Sequence, residues 1–216
     1  MAGQHNSSNV ASWIMLHLAN EPRLCEELYQ EQLDQLADEH GNLPELELHT
    51  VEKLKLHSSV VKETLRMHNA IHSIMRLVKQ PLPVPNTSWT VPPGHAVLAS
   101  PGVSANSEEY FPNPTKWDPH RWDDQEIQED DESEMVDYGY GRTSRGTKSA
   151  YLPFGGGRHR CIGEKFAYLN LEVITAVMVR NFRFKNVDGR EGVPGTDYST
   201  MFSRPLEPAK ICWERR

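Results

Sequence analysis

Phe154-Gly155-Gly156-Gly157-Arg158-His159-Arg160-Cys161-Ile162-Gly163 is the stretch that decides how the chain is read. Three consecutive glycines open backbone angles closed to other residues and let the main chain lie flat against a large planar ligand. From Gly163 onward Phe166, Leu169, Leu171, Val173, Ile174, Val177 and Met178 recur at helical spacing, which predicts a helix over 164–180. Cys161 therefore stands at or just before a helix N-terminus, where unpaired N–H groups and the dipole favour a thiolate. A sulfur donor on a glycine loop among cationic side chains is what an iron porphyrin needs: one axial ligand and partners for two propionates.

Other readings of the loop are weaker. A phosphate-binding loop requires a Gly-Lys-Ser/Thr ending at another spacing, and the chain has none. A zinc site wants a second Cys/His pair nearby, but Cys25 and Cys212 are far away in sequence. A lone cysteine is most often a small buried hydrophobe; the surrounding pattern outweighs that default.

The run resembles the haem-ligand signature of the haem-thiolate monooxygenases, the cytochromes P-450: Phe, two residues, Gly, one residue, Arg or His, one residue, Cys, one residue, Gly. Those places are Phe154, Gly157, His159, Cys161 and Gly163. The resemblance implies Cys161 as axial iron ligand and His159 as a propionate partner. Phe154 would pack beside the sulfur, with Gly155, Gly157 and Gly163 shaping the loop against the haem. It also implies a mainly α fold with small β-sheets (α+β), of which residues 1–216 would be the C-terminal, haem-binding part.

At 216 residues, 38% hydrophobic and 25% charged, the chain has the make-up of a globular protein with one sizeable core. Three widely spaced cysteines argue against a disulfide framework and fit a reducing compartment. No apolar run approaches a bilayer span and no signal peptide is evident. The net charge of −7 is uneven: nine of the 30 acids fall within 123–137, which holds no Lys or Arg. The remainder is close to neutral, so nothing favours a nucleic-acid partner.

Taken from its start, the chain reads as helix from its first residues (1–19), with Val10, Trp13, Ile14, Leu16 and Leu18 apolar. Asn20-Glu21-Pro22 breaks it, and Pro22 suits the first turn of a helix over 22–40 that Gly41 ends. Thr50 can cap a third helix over 50–68. A small sheet is expected over 72–99: Ser73–Val78 as one strand, stopped by Pro81, Pro83 and Pro85. Trp89–Val91 and Ala96–Ala99 would form a hairpin about Pro92-Pro93-Gly94. Residues 123–149, acidic then Gly- and Ser-rich, are expected to be a mobile surface insert. Phe182–Lys185 and Lys210–Trp213 read as strands.

Three further stretches carry the resemblance. Ala2-Gly3-Gln4-His5-Asn6 falls where the family's distal helix crosses the haem face. The resemblance makes Ala2 and Gly3 neighbours of substrate and oxygen, and His5, with Asn6 or Ser7 and water, the proton-handling group. A His in that place looks like the sterol 14α-demethylases; Asn6 departs from the usual alcohol. Glu63-Thr64-Leu65-Arg66 places both charges on one helix face, and Trp117-Asp118-Pro119-His120-Arg121-Trp122 supplies the second Arg of the family's buried Glu63–Arg66–Arg121 triad. His72-Ser73-Ile74-Met75-Arg76 resembles the fungal sterol demethylases. There His72, Ser73, Ile74 and Met75 would line the substrate cavity, with Arg76 a second propionate partner, although an Arg in a strand usually faces solvent. Met201 and Phe202 resemble the turn that enters the cavity from the far side.

Together these imply a fungal-type sterol 14α-demethylase: haem as cofactor, molecular oxygen and a sterol as substrates, and electrons from NADPH through a cytochrome P-450 reductase. They further imply azole-type inhibitors at the iron. Membrane association, at the cytosolic face of the endoplasmic reticulum, would come through an N-terminal half not in this sequence. Two other readings stay open: a catalytically inert haem-binding or regulatory fragment, and a diverged monooxygenase with another substrate.

Overall fold

Helix α1 (Ala2–Asn20) forms because Val10, Trp13, Ile14 and Leu18 share one face, and all four are buried. It stops where Pro22 starts α2 (Pro22–Leu36). The computed structural model describes residues 2–123, 132–137, 139, 142–146 and 149–216.

Helix α2 buries Leu24, Cys25, Leu28 and Gln32 and is four residues shorter than the expected 22–40. Ala37 turns extended, and Asp38 Oδ1 accepts the N–H groups of His40 and Asn42 at 2.9 and 2.8 Å. That local carboxylate competes with the helical ladder, and Gly41 (φ +80°) sits in the resulting turn.

The expected third helix is two helices, α3 (Leu48–Val51) and α4 (Lys55–Met67). Thr50 lies inside α3 instead of capping a longer helix. Its hydroxyl bonds back to Glu47, accepting from the N–H at 2.8 Å and donating to the carbonyl at 2.7 Å. Helix α4 is capped from outside: Glu31 of α2 accepts the Leu56 N–H at 2.7 Å and the His57 ring N–H at 2.8 Å.

Strand β1 (Ile74–Leu77) is followed by β2 (Leu82–Pro83), β3 (Thr90–Val91) and β4 (Ala96–Ala99). The expected hairpin of the last two does not form. Strand β4 returns to β1 in antiparallel register (Met75 opposite Leu98, Arg76 opposite Val97), and β3 pairs with β2, nested inside it. The prolines shorten the inner ladder without abolishing it: Pro83 keeps a carbonyl for pairing and lacks only a donor. The turn at Gly94 (φ +87°) is closed by Val78, whose N–H reaches His95 and whose carbonyl takes the Gly94 N–H.

Short helix α5 (Pro101–Ala105) and a 3₁₀ turn at Pro119–Trp122 lead to the acidic segment. Of the expected insert, residues 124–131 lie outside the described residues. Its second half is not simply loop: β5 (Met135–Asp137) pairs with β6 (Arg142–Ser144), and Glu134 and Ser144 are buried. Met135, Val136 and Thr143 are good strand formers, enough to seed a short ladder in a polar stretch.

Helix α6 (Glu164–Asn181) runs straight into β7 (Phe182–Asn186). The two-residue strands β8 (Thr196–Asp197) and β9 (Arg204–Pro205) bracket a turn, and β10 (Ile211–Arg215) pairs back onto β7. The architecture is mainly helical with small antiparallel sheets. One core joins α1, α2, α4, α6 and β7 through Ile14, Leu18, Leu28, Val60, Leu171 and Phe184.

Within this core Glu63 is fully buried and five donors converge on it. Arg66 Nε and Nη2 lie at 2.9 Å each, the Asp118 N–H at 3.0 Å, Trp122 Nε1 at 3.1 Å and Arg121 Nε at 3.3 Å. Arg66 spends its remaining nitrogen on the Ala105 carbonyl at 2.6 Å. The cluster ties α4 to the 105–122 segment, which packs across it.

Candidate active site

The glycine loop takes its shape from two left-handed residues, Gly155 (φ +70°) and Gly157 (φ +62°), which side chains at those positions would strain. Gly156 is needed for another reason: a Cβ there would meet the Arg145 carbonyl oxygen at 2.7 Å. The loop therefore lies directly on the backbone that follows β6. Its far end is closed by the Cys161 N–H, which donates to the Phe154 carbonyl at 2.9 Å. Arg160 is held by Glu164 in a two-bond pair at 2.6 and 3.0 Å, fastening the loop to the first turn of α6.

Cys161 stands two residues before Gly163, the N-cap of α6, and its thiol is exposed. A Cβ on Gly163 would lie 3.8 Å from the sulfur, so glycine keeps that side of the thiol open. Behind the loop, the Phe154 ring lies 5.1 Å from Tyr168, whose hydroxyl meets that of Tyr151 at 2.9 Å. Burial pushes both phenols above their ordinary range, so the pair stays neutral.

Cys161 opens into a cavity of about 1740 Å³. An ordinary small-molecule site is roughly 300–1,000 Å³, so this volume accommodates a large planar group and a second ligand together. Of the residues singled out in the sequence, Gly3, Asn6, Ser7, His72, Ser73, Ile74, Met75, Arg76, Phe154, Gly155, His159, Cys161, Gly163 and Met201 line it. Its walls come from α1, the approach to β1, the glycine loop, one face of α6 and the 200–205 turn.

Four expected residues are placed otherwise. His5 is exposed and outside the lining, its ring 6.4 Å from Phe202. On a helix Asn6 and its neighbour point about 100° apart, and the turn that brings Asn6 to the cavity carries His5 away. Phe202 is also outside the lining, because its backbone bridges Ile71 and its side chain turns toward α1 at His5. Gly157 is outside the lining, its carbonyl accepting the Arg160 N–H at 3.0 Å within the loop. Ala2 contributes only the first backbone residue of α1, its side chain being outside the described set.

Several lining residues were missed. Phe166, Asn170, Ile174 and Met178 form an i, i+4 stripe of α6 along the cavity, while Thr175 and Val179 face the core and buried Leu171 borders both. Both stripes are mostly apolar, so periodicity alone could not say which faces protein. The one signal was polarity within the stripe, at Asn170. Asn6 Oδ1 is itself buried without a hydrogen-bond partner. A lone buried acceptor in a ligand cavity marks a place for a bound donor.

The residues suit a haem. An exposed thiol at a helix N-terminus offers a soft axial ligand. The glycine loop removes side chains from one face, and Arg76 and His159 line the same cavity as partners for carboxylates. Among the described residues no three His, Cys, Asp or Glu side chains converge to hold a metal ion. No helix among them is long and apolar enough to cross a membrane.

Comparison with known proteins agrees. The cytochrome P450 family model matches residues 1–213. A sterol 14-alpha demethylase of Pyrenophora dematioidea is 95% identical over all 216 residues, which cover 40% of that protein. One from Aspergillus flavus is 59% identical over the whole chain and 42% of its own length. An eburicol 14-alpha-demethylase of Penicillium italicum is 56% identical, over 41% of its length. The chain thus spans about two-fifths of the curated relatives it matches. With the thiol loop, one face of α6 and the first turns of α1 lining one cavity, and the family model matching residues 1–213, the chain belongs to the cytochrome P450 family.

Proposed function

We propose that this chain is the haem-binding part of a monooxygenase that removes the 14α-methyl group of a sterol by successive oxygenation. Electrons would come from NADPH through a partner reductase at the endoplasmic reticulum membrane. The observation that carries the reading is one cavity in which the Cys161 thiol, the Arg76 guanidinium, the His159 imidazole and the polar first turns of α1 all line the wall. The relatives' names supply the substrate class.

Haem, when bound, supplies the oxidising chemistry. The protein's share is position and protons. Cys161 would hold the iron through its thiolate, Arg76 and His159 would pair with the carboxylates of the group, and Phe154 would shield the sulfur. Ile74, Met75 and Met201 give an apolar surface to a sterol, with His72 held by its ring N–H on the Thr200 carbonyl at 2.9 Å. Asn6 and Ser7, on the cavity side of α1, order the water that carries protons inward; His5 serves from outside that wall. Azole-type nitrogen ligands would compete at the iron.

The test is spectroscopic. In the haem-loaded protein Cys161→Ser abolishes the thiolate-type carbon monoxide band, whereas Cys25→Ser and Cys212→Ser leave it intact. Survival of the band in the Cys161 variant refutes the assignment.

A further inference from the structure

Behind the cavity, away from the thiol loop, two histidines from separate elements meet in the core. His17 Nε2 of α1 and His68 Nε2, the residue that ends α4, lie 2.8 Å apart, and both rings are buried. Each stacks on a tryptophan: His68 on Trp13 with centroids 3.6 Å apart and planes within 6°, His17 on Trp117 at 4.5 Å and 10°. Both indoles are tied down. Trp117 Nε1 donates to Thr64 Oγ1 at 3.1 Å, and Trp13 Nε1 donates to the Ser203 carbonyl at 3.3 Å, across 190 residues of chain.

The proton between the rings can be placed. His68 Nδ1 is buried and has no partner. A buried N–H without an acceptor costs more than a bare ring nitrogen, so His68 carries its proton on Nε2 and donates it to His17 Nε2. His17 then holds its own proton on Nδ1. A third proton would either face two N–H groups at 2.8 Å or sit unpaired on His68 Nδ1.

The pair adjoins the three segments that make the distal wall. Residues 70–76 begin two positions after His68, and Trp13 shares α1 with the lining residues Asn6, Val10 and Ala11. Ser203 anchors the 200–205 turn, its N–H donating to the Ala70 carbonyl beside the Ile71–Phe202 bridge. We propose that His17 and His68 are positioning residues for ligand binding: their shared proton fixes the separation of the distal helix from the 70–76 and 200–205 walls. Neither residue lines the cavity; they act through the walls. This deepens the reading above but stands on geometry that does not require it.

Few charges bear on the pair. From α4 it is Arg66, already held by Glu63, with Arg121 of the packed 112–123 segment on the same carboxylate. On the 200–205 turn the charged group is Arg204, which is ion-paired with Asp197. Burial holds His17 down to about 3 and His68 well below its ordinary value, with the neighbouring ring and Arg66 adding to the shift in His68. The pair is thus neutral at physiological pH.

The experiment compares His17→Phe, His68→Phe, their double variant and His17→Gln in the haem-loaded protein that carries this chain. Phe keeps the stack and loses the hydrogen bond, the acceptor in His17→Phe and the donor in His68→Phe; the Gln amide reaches the Nε2 position and accepts or donates. Hydrogen exchange is read by peptide, and affinity is read with a 14α-methyl sterol. Each Phe variant should exchange about tenfold faster at 70–76 and 198–205, with 154–163 unchanged, and bind sterol about tenfold more weakly. The double variant should be no worse than the worse single, and His17→Gln should return both readouts to within about threefold of wild type. Unchanged exchange in the Phe variants, or a Gln variant as fast as Phe, overturns the proposal. If the Phe variants do not fold, wild-type exchange on acidification decides, after correction for intrinsic rate. Loss at 70–76 and 198–205 before the rest supports it, and simultaneous loss overturns it. A wild type that binds no sterol refutes the substrate reading and leaves the exchange result standing.

Discussion

Trp122 donates its indole N–H to Glu63 Oε2 at 3.1 Å, on the carboxylate whose other oxygen takes the Arg121 guanidinium. A buried carboxylate needs every such donor, and removing the carboxylate leaves the charges of Arg66 and Arg121 uncompensated. Glu63→Ala should cost about 3–5 kcal/mol, and Trp122→Phe about 1.5–3 kcal/mol for one bond to a charged group. Denaturant melts of the haem-loaded protein measure both. A loss under about 1 kcal/mol for Glu63→Ala would mean the cluster relaxes or admits water.

The histidine pair sets a pH dependence. An unfolded His titrates near 6.5, whereas His17 in the fold is held at about 3 by burial. Between those values the unfolded chain binds the extra proton. The stabilisation is therefore complete above pH 6.5 and is lost as pH falls toward 3, by up to about 1.4 kcal/mol per unit for this residue. Urea melts at pH 7, 6 and 5 should show His17→Gln losing stability less steeply than wild type. Parallel slopes would show that His17 does not take up its proton on unfolding.

Asn6 offers a test of function. Its Oδ1 is buried without a partner, and an amide has fixed donor and acceptor ends where a hydroxyl can rotate its single proton. Asn6→Thr should raise the product formed per NADPH consumed and leave sterol affinity little changed. Equal coupling in the two proteins would show that Ser7 or ordered water already serves.

Gly156→Ala should impair haem retention, since the new methyl would press on the Arg145 carbonyl at 2.7 Å and displace the loop; about 1–3 kcal/mol is expected for such a forced shift. Gly189→Ala is the contrast: φ is +68° but nothing lies within 4 Å, so about 1–2 kcal/mol of backbone strain is expected, with haem retained. Similar haem loss in both would detach the effect from the loop contact.

How legible this was depended on how local the determinants are. The Cys161 loop, the start of α6 and the Pro22 break are written in adjacent residues, and the fold has them. Thr50 and Asp38 were misjudged because a short polar side chain can bond its own backbone in several ways, and only the surrounding chain selects one. The strand pairing failed because Pro92-Pro93-Gly94 does turn the chain, while the partner of Ala96–Ala99 was decided by β1, twenty residues upstream. The cavity face of α6 was hidden for a related reason: an apolar stripe toward a ligand looks like one toward the core. His17 and His68, 51 residues apart, left no sequence signal of their meeting.

The nested ladder has a bearing on where this fold can change. Since Val78 seals the neck of the 79–94 arm against His95 and Gly94, the arm leaves and rejoins β1–β4 at a single point. Loop closure entropy grows only slowly with length, so additions near Trp89, 75% exposed at the tip, would be insulated from the register that holds Arg76 opposite Val97. The arm can accept a graft or an optical label while the cavity wall that carries Arg76 stays in place.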